Sequence, residues 1–169
     1  MREKKKMKDT LSIKTSYVLP PDTNQHGTLF GGKLMAYIDD IASIAATKLA
    51  RKPVVTASTD SVDFLKPIRG GDAVTLEAMV SYTGTTSMEV FVKVVSENLL
   101  IGEKDIAAIS FLTFVALDED GRPTGVPEVV PETEEEKWLN ETGAARANQR
   151  KSRKQYSKDL IRFFSSLGE

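Results

Sequence analysis

The chain has 169 residues, 40% of them apolar and 28% charged, with 23 Lys+Arg against 24 Asp+Glu. That is enough for one main folding unit with a real core, and a formal net charge of −1 creates no overall field to attract nucleic acid. There is no cysteine, which excludes disulfides, thiolate metal sites and a cysteine nucleophile, and fits a reducing compartment.

Residues 1–9 are strongly basic and are expected to form a tail. No apolar h-region and no long apolar run follows, so neither a secretory signal nor a membrane span is expected, and the chain reads as cytoplasmic. Leu11, Ile13 and Tyr17 to Leu19 mark a short first strand, which Pro20-Pro21-Asp22 ends because proline removes ladder donors. A glycine-rich polar loop, Thr23-Asn24-Gln25-His26-Gly27-Thr28-Leu29-Phe30-Gly31-Gly32, leads into helical spacing over residues 32–51. There Leu34, Ile38, Ile41, Ala42, Ala45 and Leu49 share one side.

Four strand-like stretches follow, near residues 54–64, 72–83, 87–97 and 105–117, the middle two forming a hairpin across Gly84-Thr85-Thr86. The last is apolar almost throughout, as a strand covered on both faces requires. A helix of about 20 residues spans about 30 Å, and strands of ten to twelve residues span about 33–40 Å. The order and lengths predict an α+β unit in which a five-stranded antiparallel sheet wraps one long helix. Pro123, Pro127 and Pro131 mark an extended connector, and residues 131–169 are expected to form a helical extension. Its cations, Arg146, Arg150, Lys151, Arg153, Lys154 and Lys158, read first as a solvated helix face. Phe163, Phe164 and Leu167 beyond them need cover, which a neighbouring subunit would supply.

Three features could carry chemistry. The Gly31-Gly32 junction presents free backbone N–H groups and a positive helix end, suited to a carbonyl gaining negative charge, though it would serve equally as a plain loop-to-helix joint. Asp39-Asp40 interrupts an apolar helix, and an ionised carboxylate there must reach a cleft, a partner or water. His26, the only histidine, could be a general base but fits a loop role better, and a Ser-His-Asp arrangement lacks its nucleophile motif.

Four fragments in order then carry a resemblance over about residues 15–126. They are Pro21-Asp22-Thr23-Asn24-x-x-Gly27 with Phe30-Gly31-Gly32, Ile38-Asp39, Val62-Asp63-Phe64-Leu65-Lys66-Pro67-Ile68 with Gly71-Asp72, and Phe111-Leu112-Thr113-Phe114-Val115-Ala116-Leu117-Asp118. The chain resembles the hotdog-fold acyl-CoA thioesterases, bacterial acyl-CoA hydrolases and the halves of the animal cytosolic long-chain enzyme. Residues 10–130 would be the hotdog domain.

The resemblance implies hydrolysis of acyl-CoA to a fatty acid and CoA with no cofactor beyond the CoA of the substrate itself. It also implies a dimer with sheets joined edge to edge, often as a hexamer of three such dimers, and no nucleic-acid or membrane partner. Asn24 and Asp39 would be the catalytic pair, meeting across the dimer, with Gly31 and Gly32 supplying the amide that polarises the carbonyl. CoA would lie along Thr56, Ala57 and Ser58, at Lys66, Pro67 and Arg69, and around Gly84, Thr85, Thr86 and Ser87. A noncatalytic acyl-CoA-binding regulator on the same fold is the alternative.

Overall fold

The structure, a computed structural model, describes residues 1–168. The long helix α1 (Gly31–Ala50) buries Leu34, Ile38, Ile41, Ala42, Ala45 and Leu49, the set its spacing predicts. Each fully buried leucine or isoleucine contributes about 1.5–3 kcal/mol. The helix ends where Arg51 turns left-handed at φ 52°, its N–H closing on the Thr47 carbonyl at 2.8 Å. It packs chiefly on β4 (Ala73–Thr83), inside a five-stranded antiparallel sheet. The other strands are β2 (Ser12–Tyr17), β3 (Val54–Phe64), β5 (Ser87–Asn98) and β6 (Glu103–Ala116). Their spatial order is β2-β4-β5-β6-β3. This is the hotdog architecture, helix inside and sheet around it.

Alternation decides what each sheet face carries. Val74, Leu76, Ala78 and Val80 on β4, with Val90, Val92 and Val94 on β5, are fully buried in the core shared with α1. Residues of opposite parity, among them Glu89, Phe91 and Phe111, face outward under the helices α2 (Glu134–Glu141) and α3 (Gly143–Ser166). Helix α2 begins with a reciprocal cap. The Glu136 N–H donates to the Thr133 hydroxyl at 3.2 Å, and the Thr133 N–H donates to the Glu136 carboxylate at 3.3 Å.

Two expectations need correction. Residues 1–9 are not a free basic tail: β1 (Lys4–Lys6) pairs in parallel with β7 (Glu128–Val130), and Met7 is wholly buried. The connector after Pro123 is therefore partly a strand. Lys6 and Lys8 both contact the Glu132 carboxylate, at 2.7 and 2.6 Å, so the lysine run is held by specific partners. The extension is helical as expected, apart from Glu169, which lies outside the described residues. Its arginines are not a solvated face, as the site geometry shows. Among the described residues no helix is long and apolar enough to cross a membrane.

Candidate active site

The loop before α1 is pinned at several points. The Asn24 N–H donates to the Thr28 carbonyl at 2.8 Å, the Leu29 N–H to Ile68 at 2.7 Å and the Phe30 N–H to Asp22 at 2.9 Å. Gly27 holds φ 71°, a conformation that a side chain would strain. Within this loop the Asn24 Oδ1 accepts from the His26 N–H at 2.9 Å, and from the Thr28 N–H and hydroxyl at 3.3 and 3.2 Å. Those donors fix which end of the amide is oxygen and leave its NH2 group as the outward donor. His26 itself is exposed and enters this network through its backbone.

Phe30 precedes α1 and offers no side-chain cap. Lys33 and Leu34 both donate back to the Phe30 carbonyl, at 3.0 and 3.1 Å, so the Gly31 and Gly32 N–H groups stand at the positive helix end without an intrahelical acceptor. A Cβ at position 32 would come within 2.6 Å of the Phe30 ring. Asn24, Gly31, Leu34, Phe64 and Leu65 line one largely apolar cavity of about 360 Å³, at whose rim lie Lys66 and Pro67. A donor amide, a helix terminus and an apolar wall suit a carbonyl bearing an aliphatic chain.

Asp39 is not in that cavity. It lies on the flank of α1 beside β3, where its Oδ1 accepts from the Thr56 hydroxyl at 2.8 Å. Asp40 points elsewhere, exposed and 3.8 Å from the Lys14 ammonium. The strand β3 is one of the two edges of the sheet, β2 being the other. Around it Phe30, Met35, Val55, Phe64 and Leu65 are between 46% and 58% exposed, an apolar rim beside unpaired backbone groups.

Seven of the ten residues expected to hold CoA line two separate cavities within one chain. Ala57, Ser58, Thr86 and Ser87 line a second cavity of about 480 Å³, roofed by Arg150, Lys151, Arg153 and Lys154 of α3. Lys66, Pro67 and Arg69 line a third, which also holds Asp72, Glu103 and Asp105, and Lys66 is paired with Asp105. Gly84 and Thr85 serve the turn: their carbonyls accept from the Arg2 guanidinium and the Val126 N–H.

Two features escaped the sequence reading. Thr56, placed there with CoA, is the hydrogen-bond partner of Asp39. The arginines of α3 form a caged ion cluster. Glu89, whose side chain is wholly buried, accepts from Arg146 Nε at 3.0 Å and Nη2 at 2.9 Å, from Arg150 at 2.6 Å and from the Ser81 hydroxyl at 2.8 Å. Asp60 pairs with Arg153 and accepts from the hydroxyls of Ser58 and Thr113, both at 2.6 Å. The signal was present as arginines at helical i, i+4, i+7 spacing, with a glutamate inside the apolar run of β5.

The model of the thioesterase superfamily matches residues 26–102. An uncharacterised acyl-CoA thioester hydrolase of Bacillus subtilis, YkhA, is 61% identical over 153 residues, covering 90% of this chain and 89% of its own. The acyl-CoA hydrolase of Staphylococcus aureus, solved with butyryl-CoA, CoA and CoA disulfide, superposes with a TM-score of 0.92 at 51% identity, covering 96% and 99% of the two chains. A hexameric acyl-CoA thioesterase superposes with a TM-score of 0.87 at 54% identity over 89% of this chain and 97% of its own. On fold, sequence and coverage together, the chain belongs to the hotdog-fold acyl-CoA thioester hydrolases.

Proposed function

We propose that this acyl-CoA thioester hydrolase works at a site completed by two subunits. One supplies Asn24 and the Gly31 and Gly32 amides, and the other supplies Asp39 with Thr56. The observation that carries this reading is the separation within one chain. The amide and helix end line an apolar cavity, while the carboxylate stands beside the exposed edge strand with an apolar rim around it. Pairing two β3 edges brings a second copy's carboxylate toward the first copy's cavity and buries that rim.

A comparison of relatives supports the same residues. The S. aureus enzyme has been solved with an Asn, an Asp and a Thr each replaced by Ala. Those three are separated by 15 and 17 positions, as Asn24, Asp39 and Thr56 are here.

In this reading the thioester oxygen receives hydrogen bonds from the Asn24 NH2 and a first-turn amide, which strengthen as charge builds on it. Asp39, held by the Thr56 hydroxyl, takes a proton from water as its oxygen bonds to the carbonyl carbon. The C–S bond then breaks, and CoA leaves as a thiolate. With a thiol pKa of about 8.5 the leaving group needs no strong acid behind it. The carboxylate attacking the carbon directly is the other route open to the same geometry. The assembly would be a trimer of such dimers, as in the hexameric relative. A cytoplasmic location fits a chain without cysteine.

The test is complementation. Asp39→Ala and Asn24→Ala should each lose at least about a hundredfold in kcat while keeping the assembly size by light scattering. Mixed assemblies of the two variants should regain about a quarter of wild-type activity, because half the random pairs contain one intact site of two. Recovery of nothing above the single variants would reject a site shared between subunits.

A further inference from the structure

The second cavity has a charge balance that the fold does not need. Three arginines of α3, Arg146, Arg150 and Arg153, face two buried carboxylates, Glu89 and Asp60, and dock the helix on the sheet. That cluster is already cationic by one. Lys151 and Lys154, one helical turn apart, add two more positive charges and make no ion pair among the described residues. Both are exposed and stand over the cavity, opposite Ala57 and Ser58 of β3 and the Thr86–Ser87 corner of the hairpin. The hydroxyls of Thr86 and Ser87 bond to no protein group among the described residues, so they remain donors. A cavity of about 480 Å³ with two free ammonium groups and two free hydroxyls in its lining, beside apolar surface from Val115 and Ala147, offers a phosphorylated group several donors.

Its position ties it to the reaction. Ala57 and Ser58 follow directly on Thr56, whose hydroxyl holds Asp39. Thr56 faces α1 and Ser58 faces α3, so a substrate whose thioester lies by that carboxylate reaches the space under α3 by crossing β3 at the irregularity between Thr56 and Ser58. We infer that Lys151 and Lys154 of the C-terminal extension bind the phosphates of the substrate's own nucleotide, making the extension a clamp on CoA. The arginines build the roof and the lysines face the ligand. This inference rests on the hydrolase reading given above, and a free phosphorylated nucleotide would share the same chemistry.

The experiment compares Lys151→Ala/Lys154→Ala and Lys151→Arg/Lys154→Arg with the wild type on two substrates, an acyl-CoA and the matching acyl-pantetheine, which carries no phosphate. The alanine pair should raise KM for acyl-CoA about five- to tenfold with kcat within twofold, flatten its salt dependence, and leave acyl-pantetheine unchanged. The arginine pair should restore KM. Calorimetry with adenosine 3′,5′-bisphosphate should show the same five- to tenfold weakening in the alanine pair. An unchanged KM for acyl-CoA, or an equal rise on both substrates, overturns the clamp while the hydrolase reading stands. Weaker adenosine 3′,5′-bisphosphate binding with an unchanged KM assigns the lysines to a free nucleotide and also overturns it. A wild type that releases no thiol from either substrate sinks the hydrolase reading, and the calorimetry then decides on the lysines alone.

Discussion

Replacing Arg146 with alanine probes the cluster that joins the extension to the sheet. Glu89 is wholly buried, and Arg146 meets it through two nitrogens at 3.0 and 2.9 Å while its guanidinium lies 4.3 Å from the Phe111 ring centroid. Breaking a buried pair from one side costs about 3–5 kcal/mol, because the remaining charge is stranded away from water. Arg150 at 2.6 Å and Ser81 at 2.8 Å still serve the carboxylate, which places Arg146→Ala near the lower end, about 3 kcal/mol. For a chain of this size that lowers Tm by about 6–12 °C.

In a Glu89→Gln background the charge is gone, and the same change should cost only about 1 kcal/mol of packing and cation–π contact, a coupling of about 2 kcal/mol. Scanning calorimetry on all four proteins at one concentration measures this, since assembly also moves Tm. Equal losses from Arg146→Ala in both backgrounds would show that the arginine acts by packing alone, and would refute the ion-cage account.

Two further outcomes follow from local geometry. Gly143 opens α3 against Tyr82, where an added Cβ would come within 2.6 Å of the tyrosine Cβ. Gly143→Ala gains about 1 kcal/mol of helix propensity but forces overpacking worth about 1–3 kcal/mol, so Tm should fall, and a rise would show that α3 is free to shift. The hydrogen bonds from Lys6 and Lys8 hold Glu132 below the usual carboxylate range, against desolvation. A depressed folded pKa gives stability that is present above the ordinary value of 4.5 and lost as pH falls through the folded pKa. Glu132→Gln should therefore flatten the acid limb of a Tm–pH curve, and an unchanged limb would remove this carboxylate from acid unfolding.

Much of the hotdog unit was legible because its signals are local. Leu34, Ile38, Ile41 and Leu49 repeat at helical spacing, and Val74, Leu76, Ala78 and Val80 alternate, so α1 and β4 need no knowledge of their partners. The pairing of β1 with β7 was hidden. Lys4–Lys6 has no apolar pattern, and its strand exists only because Glu128–Val130 lies beside it. The ion cage was half hidden: the arginine spacing and a glutamate within an apolar strand are local signals, but Arg146 and Glu89 are 57 residues apart and nothing local pairs them. At the candidate site, Asp39 was singled out with Asp40 as a carboxylate in an apolar helix, while Asn24 and the pairing of it with Asp39 came through family resemblance. That the Asn24 oxygen turns inward, or that Thr56 meets Asp39, depends on how the loop and strand are placed in space.

The pairing of Lys4 with Glu128 also orders events on the ribosome. The strand Lys4–Lys6 waits for a partner 124 residues downstream. At translation rates of about 5–20 residues per second, that is a delay of roughly 6–25 s. Through that interval this lysine-rich strand has no ladder to join, and its charge keeps it hydrated and apart from the hydrophobic strands emerging behind it. Closure of this clasp thus follows synthesis of the whole five-stranded sheet, and it joins Lys4–Lys6 to the point where the extension departs.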